Sequence, residues 1–246
     1  MNKTRLDKLL VDKGLAKTRS QSEDLVKRGF VSVNQIVVTK PGIFLDNNTQ
    51  LDVKPHESFV SRAGEKLNSV IDLLKLDFTG KLVLDVGSST GGFSELSLRR
   101  GAKRVIAIEL GTNQMHPRIR EDSRIELHEK TDIRDFTTDQ QIDIVVIDVS
   151  FVSLREILPA VGSLSKPVTT IIAMVKPQFE AATSGLKHKG VIKNDHIRRE
   201  ILKDFENWCR VNFVIDAKGD SKVAGAKGNV ERFYVLHKKV INYPTR

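Results

Sequence analysis

Cysteine is almost missing from this sequence: Cys209 is the single one among 246 residues. That excludes a disulfide within the chain and any zinc site built from cysteines. The six histidines (His56, His116, His128, His188, His196 and His237) are scattered without ligand spacing, so no metal is expected. Aromatic residues make up only 6%. No apolar run approaches eighteen residues, which rules out a spanning helix. The opening MNKTRLDKLL is basic but soon meets Asp7 and Asp12, and it lacks the apolar stretch of a signal peptide. The expectation is a cytoplasmic protein with no membrane partner.

What is present is charge, unevenly spread. The net charge is +9. Residues 1–60 carry ten bases against seven acids, 61–184 carry sixteen against seventeen, and 185–246 carry fourteen against seven. Anionic partners are therefore expected to meet the two ends of the chain rather than its middle.

Residues 5–28 read as two short helices. Leu6, Leu9 and Leu10 share one face, and Gly14 closes the first helix. Ser20 followed by Glu23 has the spacing of a capping box for the second, and Gly29 suits its end. Short β-prone pieces follow at Val31–Val33, Ile36–Val38 and Leu51–Val53, with turns at Asn34-Gln35 and Pro41-Gly42. This predicts a small ααβ domain over 1–58. Arg5, Arg19, Lys27, Arg28 and Lys40 supply its cations, and Arg62 lies just beyond it. Helical Arg and Lys beside a hairpin suit phosphates on folded RNA, but they equally suit a solvated charged face.

Residues 59–246 read as a second domain. A helix is predicted over 65–75 from Leu67, Val70, Ile71 and Leu74. Strand-like runs recur at Leu82–Val86, Val105–Ile108, Ile125–Leu127, Ile142–Ile147, Val168–Val175, Val211–Ile215 and Phe233–Leu236. The pattern predicts an α/β doubly wound, Rossmann-like sheet whose last two strands form an antiparallel edge.

The first strand feeds the turn Gly87-Ser88-Ser89-Thr90-Gly91-Gly92. It is not a P-loop, and it misses the dinucleotide spacing Gly-x-Gly-x-x-Gly. Glu109 closes the next strand 22 residues after Gly87, where an acid can accept from a ribose diol, and Asp132 follows the third strand, within reach of an adenine amine. The expected cofactor is S-adenosylmethionine, ahead of a nicotinamide. Its expected contacts are Asp85, Gly87, Ser88, Gly91, Gly92, Phe93, Glu109 and Asp132.

Four more polar residues fall at the edge where such folds place chemistry. Asp148 and Lys176 each follow a strand, Glu231 precedes the last one, and Lys66 lies on the helix before the first. Two lysines and two carboxylates suit methylation of a ribose 2′-hydroxyl, a poor nucleophile that must lose its proton as it attacks. A lysine can take that proton if a second cation pulls its pKa down. Lys176 is the expected base and Lys66 the tuning partner, with Asp148 and Glu231 as the orienting acids.

RLDKLLVDKGLAKTRSQSEDLVKRGFVSVNQIVVTKPG resembles the RNA-binding domain first known from a small-subunit ribosomal protein, also found in pseudouridine synthases and tyrosyl-tRNA synthetases. VSRAGEKL, LDVGSSTGGFSELSLRRGAKRVIAIELG, VIDVSFVSL, MVKPQFE and KGNVERF resemble the hemolysin A (TlyA) family of ribosomal RNA 2′-O-methyltransferases, with a catalytic domain of the FtsJ/RrmJ type. The resemblance implies cytidine 2′-O-methylation in ribosomal RNA or ribosomal subunits. It also implies a Lys-Asp-Lys-Glu tetrad, filled here by Lys66, Asp148, Lys176 and Glu231. The chain departs from the family in GTNQMHPRIR, in Gly225–Gly228 and in ATSGLKHKG. The alternative reading is a ribosome-binding assembly factor without catalysis.

Overall fold

The structure is a computed structural model and describes residues 3–16, 18–54, 59–181, 190–192, 194–225 and 228–240. The chain divides into two compact units, Met1–Ser58 and Phe59–Arg246.

In the first unit, β1 (Lys3–Arg5) leads into α1 (Leu6–Asp12), followed by α2 (Arg19–Lys27). The strands β2 (Val31–Val33), β3 (Ile36–Val37), β4 (Phe44–Asp46) and β5 (Leu51–Val53) complete it. β2 pairs antiparallel with both β3 and β5, while β1 pairs with β4. The β1–β4 pair is not predicted by the sequence, because KTR carries no apolar alternation. Leu6, Leu10, Leu25, Val26 and Val31 form the small core. The cap of α2 also differs from expectation. Thr18, not Ser20, is the N-cap, and its hydroxyl accepts from the Gln21 N–H at 3.2 Å. Thr18 is the residue with extended backbone, so the helix begins two residues earlier than the Ser-x-x-Glu spacing implies.

In the second unit, the predicted 65–75 helix is two: α3 (Arg62–Asn68) and α4 (Ile71–Leu74). Ser69 separates them, its hydroxyl turned back onto the Lys66 carbonyl at 2.6 Å. The strands are β6 (Leu82–Val86), β7 (Arg104–Glu109), β8 (Ile125–Glu129), β9 (Ile144–Ile147), β10 (Thr170–Val175), β11 (Phe213–Asp220) and β12 (Arg232–Lys238). Between them lie α5 (Gly92–Arg99), α6 (Pro117–Arg120), α7 (Leu154–Leu164), α8 (Pro177–Glu180) and α9 (Asp195–Cys209).

The seven-stranded sheet has the order β11-β12-β10-β9-β6-β7-β8. β6 to β10 are parallel, and β12 and β11 form the expected antiparallel edge. Alternation along the strands splits the core between two faces. Val145 and Ile147 face α7 and α9, whereas Ile144 and Val146 face the side of α3, α4 and α5.

The chain leaves β6 toward β7 and β8, then returns to β6's other side as β9. That reversal opens a crevice beyond the carboxyl ends of β6 and β9. Because β12 runs opposite to β10, its first residues come to the same edge: Val175 pairs with Arg232, so Lys176 and Glu231 each lie one position beyond that pair.

Candidate active site

The reversal brings Gly87 against Asp148. The Asp148 N–H donates to the Val86 carbonyl at 3.0 Å. A Cβ on Gly87, whose φ is +79°, would stand 3.0 Å from the Asp148 carbonyl oxygen, so the close approach requires glycine. Beyond this point lies a cavity of about 560 Å³, within the range of small-molecule sites. Gly87, Glu109, Asp132, Asp148, Ser150 and Phe151 contribute to its lining, and Ile108, Ile133 and Val149 supply apolar wall.

Glu109 is held in place by the loops around it. Its carboxylate accepts from the Ser89 N–H at 2.9 Å and the Gly111 N–H at 2.7 Å, with the Gln114 amide at 3.3 Å. Asp132 grips the Arg134 guanidinium through both oxygens, at 2.9 and 2.6 Å, and that hydrogen bonding holds its pKa below the ordinary value. Arg134 also lines the cavity.

Asp85, Ser88, Gly91, Gly92 and Phe93 do not line the cavity. Phe93 is packed in the core with its ring 6.0 Å from that of Phe233, which corrects the expectation of a cofactor contact by this side chain. Asp85 is buried beneath the loop and accepts from the Ser94 hydroxyl at 2.6 Å. Burial pushes its pKa up to about 7, helped by the charges of Asp148 and Glu109. Gly92 serves helix packing. A Cβ there would fall 2.2 Å from the Ser61 hydroxyl and 2.8 Å from the Gly64 nitrogen, while one on Gly64 would meet the Gly92 carbonyl at 2.8 Å. Two bare positions thus let α3 lie against α5, and Lys66 is two residues from that contact.

The expected tetrad forms two ion pairs. Lys176 Nζ stands 2.5 Å from Asp148 Oδ1, with the lysine side chain 11% and the aspartate 17% exposed. Lys66 Nζ stands 2.9 Å from Glu231 Oε1, at 11% and 4% exposure. One pair joins the ends of β9 and β10, and the other joins α3 to the start of β12. Lys176 also donates to the Ser150 hydroxyl at 2.7 Å and lies 5.8 Å from the centre of the Phe179 ring.

Several neighbours are not foreseen from the sequence. Phe151 is 91% exposed at the cavity, with a left-handed φ of +67° that is uncommon outside glycine, and its ring is 5.3 Å from that of Phe179. Buried Glu180 accepts from the Ser153 hydroxyl at 2.6 Å and the Leu154 N–H at 2.7 Å. Burial raises its pKa. The final Glu of MVKPQFE is the one signal that could have found this contact.

Among the described residues, no group of histidine, cysteine and acids could hold a metal. No helix among the described residues is long and apolar enough to cross a membrane.

In the first unit, Arg5 and Arg19 converge on buried Asp7, at 2.8 and 3.0 Å. Hydrogen bonds from the two guanidiniums, Arg5 foremost, bring the Asp7 pKa down to about 2 against its burial. Lys27 pairs with Glu23, and Arg28 pairs with Asp24 and covers the Phe30 ring. Lys40 is exposed. In the second unit, Arg62 donates to the Ala224 carbonyl at 2.9 Å, tying α3 to the segment before β12.

Comparison with known proteins identifies this arrangement. Residues 59–239 match the model of the FtsJ-like methyltransferases. The chain belongs to the FtsJ-like methyltransferase family. Residues 4–51 ahead of its FtsJ-like domain match the S4 domain. The 16S/23S rRNA (cytidine-2′-O)-methyltransferase TlyA of Mycobacterium tuberculosis is 32% identical over 95% of this chain and 90% of its own. Hemolysin A of Brachyspira hyodysenteriae is 32% identical over 95% of this chain and 98% of its own. A solved Streptococcus thermophilus structure described as a hemolysin superposes with a TM-score of 0.72 at 33% identity, covering 97% of this chain and 89% of that one. The FtsJ-like and S4 domains are thus both shared with relatives over nearly their whole length.

Proposed function

We propose that this protein transfers a methyl group from S-adenosylmethionine to the 2′-hydroxyl of a cytidine ribose in ribosomal RNA. The observation that carries the reading is the lysine–carboxylate pair at 2.5 Å, Lys176 with Asp148, where Asp148 itself lines the cavity.

The cavity's donors and acceptors fit the cofactor. Glu109 and Asp132 present acceptors at the ends of successive strands, suited to a ribose diol and an exocyclic amine, while Ile108 and Ile133 give apolar wall for a purine. When bound, S-adenosylmethionine supplies an electrophilic methyl on a sulfonium. The chain supplies the rest. Lys176, as a free amine, takes the proton from the 2′-hydroxyl. The O–H bond breaks as the oxygen's bond to the methyl carbon forms, and the carbon–sulfur bond breaks with its electron pair left on sulfur. Asp148 orients the amine, and the Lys66–Glu231 pair holds a second cation at the same edge. Asp85 and Ser94 support the glycine turn from below. The open face of Phe151 offers a surface on which an unstacked base can lie. Arg5, Arg19, Lys27, Arg28 and Lys40 of the S4 domain contact RNA phosphates.

Mapping ribose methylation on ribosomal RNA from cells with and without the gene tests reaction and substrate together. Loss of one or more 2′-O-methylated cytidines, restored by the parent gene but not by Lys176→Ala, supports the reading. An unchanged map overturns it, and restoration by Lys176→Ala removes Lys176 from the base role. RNA binding with no methylation in either strain would favour the assembly factor instead.

A further inference from the structure

The Lys176 nitrogen has two oxygen neighbours on one short loop: it donates a hydrogen bond to the Ser150 hydroxyl and forms an ion pair with the Asp148 carboxylate. Asp148 Oδ1 lies at 2.5 Å and Ser150 Oγ at 2.7 Å, two residues apart between β9 and α7. Ser150 is exposed and lines the cavity. The far end of this loop is fixed as well. Ser153 is the N-cap of α7, and both its hydroxyl and the Leu154 N–H are held by buried Glu180. Glu180 belongs to α8, whose own N-cap residue is Lys176. The lysine and the loop that receives its hydrogen bond are therefore parts of one closed circuit, and the loop cannot drift away from the amine without breaking the Glu180 contacts.

We propose that Ser150 is a positioning residue for the Lys176 amine during methyl transfer. The inference rests on Lys176 acting as the base. A neutral amine has two N–H bonds and one lone pair. If Ser150 receives one N–H and the charge of Asp148 draws the other toward itself, the lone pair is left the remaining direction about Cε–Nζ. A carboxylate alone draws one N–H and leaves the lone pair a choice of two directions; a second acceptor decides between them. The second acceptor is suitably a neutral hydroxyl, because a second carboxylate would hold the proton on the lysine and oppose its release. Ser150 contacts no other side chain of the tetrad in this role; it acts through Lys176.

The test compares Ser150→Ala, Ser150→Thr and Lys176→Ala in the full chain, by single-turnover methylation of ribosomal RNA across pH. Calorimetry with S-adenosylhomocysteine and RNA-binding titrations accompany it. Lysine ¹³Cε NMR of the RNA-free protein follows the titration of Lys176, with its resonance assigned by its loss in Lys176→Ala. The expected result for Ser150→Ala is a fall in rate of about tenfold, the scale of one hydrogen bond, with both affinities unchanged. The midpoint of the rise in rate, and of the NMR titration, should move to lower pH, because the ammonium has lost an acceptor. Ser150→Thr should restore rate and midpoint. A parental rate and midpoint in Ser150→Ala, with Lys176→Ala inactive, overturns the role of Ser150 alone. Equal loss in Ser150→Ala and Ser150→Thr with an unmoved midpoint also overturns it, as does a loss confined to RNA affinity. A parental rate in Lys176→Ala overturns the underlying assignment of the base.

Discussion

Lys66 and Glu231 stand 2.9 Å apart, Nζ to Oε1, although 165 positions separate them in sequence. The glutamate is 4% and the lysine 11% exposed, so the pair is nearly withdrawn from water. Removing one member of a buried pair strands the other, at a typical cost of about 3 kcal/mol or more. Lys66→Met should therefore lower stability by roughly that amount in urea denaturation. The double variant Lys66→Met/Glu231→Gln should recover part of the stability and none of the methyl transfer. Recovered activity in the double variant would show that the pair serves only folding.

Glu109 accepts the Ser89 and Gly111 N–H groups from loops that border the cavity. Glu109→Ala should weaken binding of S-adenosylhomocysteine by about tenfold or more, the scale of a charged hydrogen bond. Thermal unfolding should shift little by comparison. Calorimetry showing parental affinity would remove Glu109 from the cofactor site.

Asp85 gives a pH dependence with a definite sign. Its folded pKa is about 7 against an ordinary 3.8, so between those values the folded state keeps a proton that the unfolded state has released. The contribution of Asp85 to stability should be greatest below about pH 4, fall as pH rises toward 7, and level off above. Asp85→Asn should abolish this slope. The comparison is denaturation midpoints of parent and variant from pH 5 to 8. Parallel curves would mean that the buried carboxyl is not protonated in this range.

The S4 domain should supply phosphate contacts without choosing the nucleotide. Arg19→Gln and Lys40→Gln should each weaken ribosomal RNA binding. Each should also flatten the logarithmic salt dependence by about 0.7–0.9, the value for one lost phosphate contact. An unchanged slope in both variants would place the RNA footprint elsewhere.

Much of the fold is legible because its strands are apolar on alternate or both faces. Val83, Leu84 and Val86, or Ile144 to Ile147, have no other stable place than a buried sheet. The chemistry is legible where the topology fixes it, since Asp148, Lys176 and Glu231 all fall at one edge once the last strand is read as antiparallel. Side-chain direction is less accessible. Phe93 stands beside the glycine turn in sequence yet turns into the core against Phe233. Gly92 also packs against Gly64, a partner in a different motif. Glu180 and Ser150 acquire their roles only through contacts across 27 and 26 positions, which no local pattern encodes.

The place of β12 after every other strand of its sheet also sets an order in time. Every residue that lines the cavity lies between Val86 and Ile157, whereas Glu231 is made 74 positions after the last of them. A chain still emerging from its own ribosome thus carries the pocket wall long before it carries the last carboxylate of the tetrad. It is held beside abundant ribosomal RNA, the class of molecule it is proposed to modify. A chain made only as far as α9 holds every residue of the pocket lining without the carboxylate proposed to complete the site. Competence for the proposed methyl transfer then waits for the strand that closes the sheet's antiparallel edge.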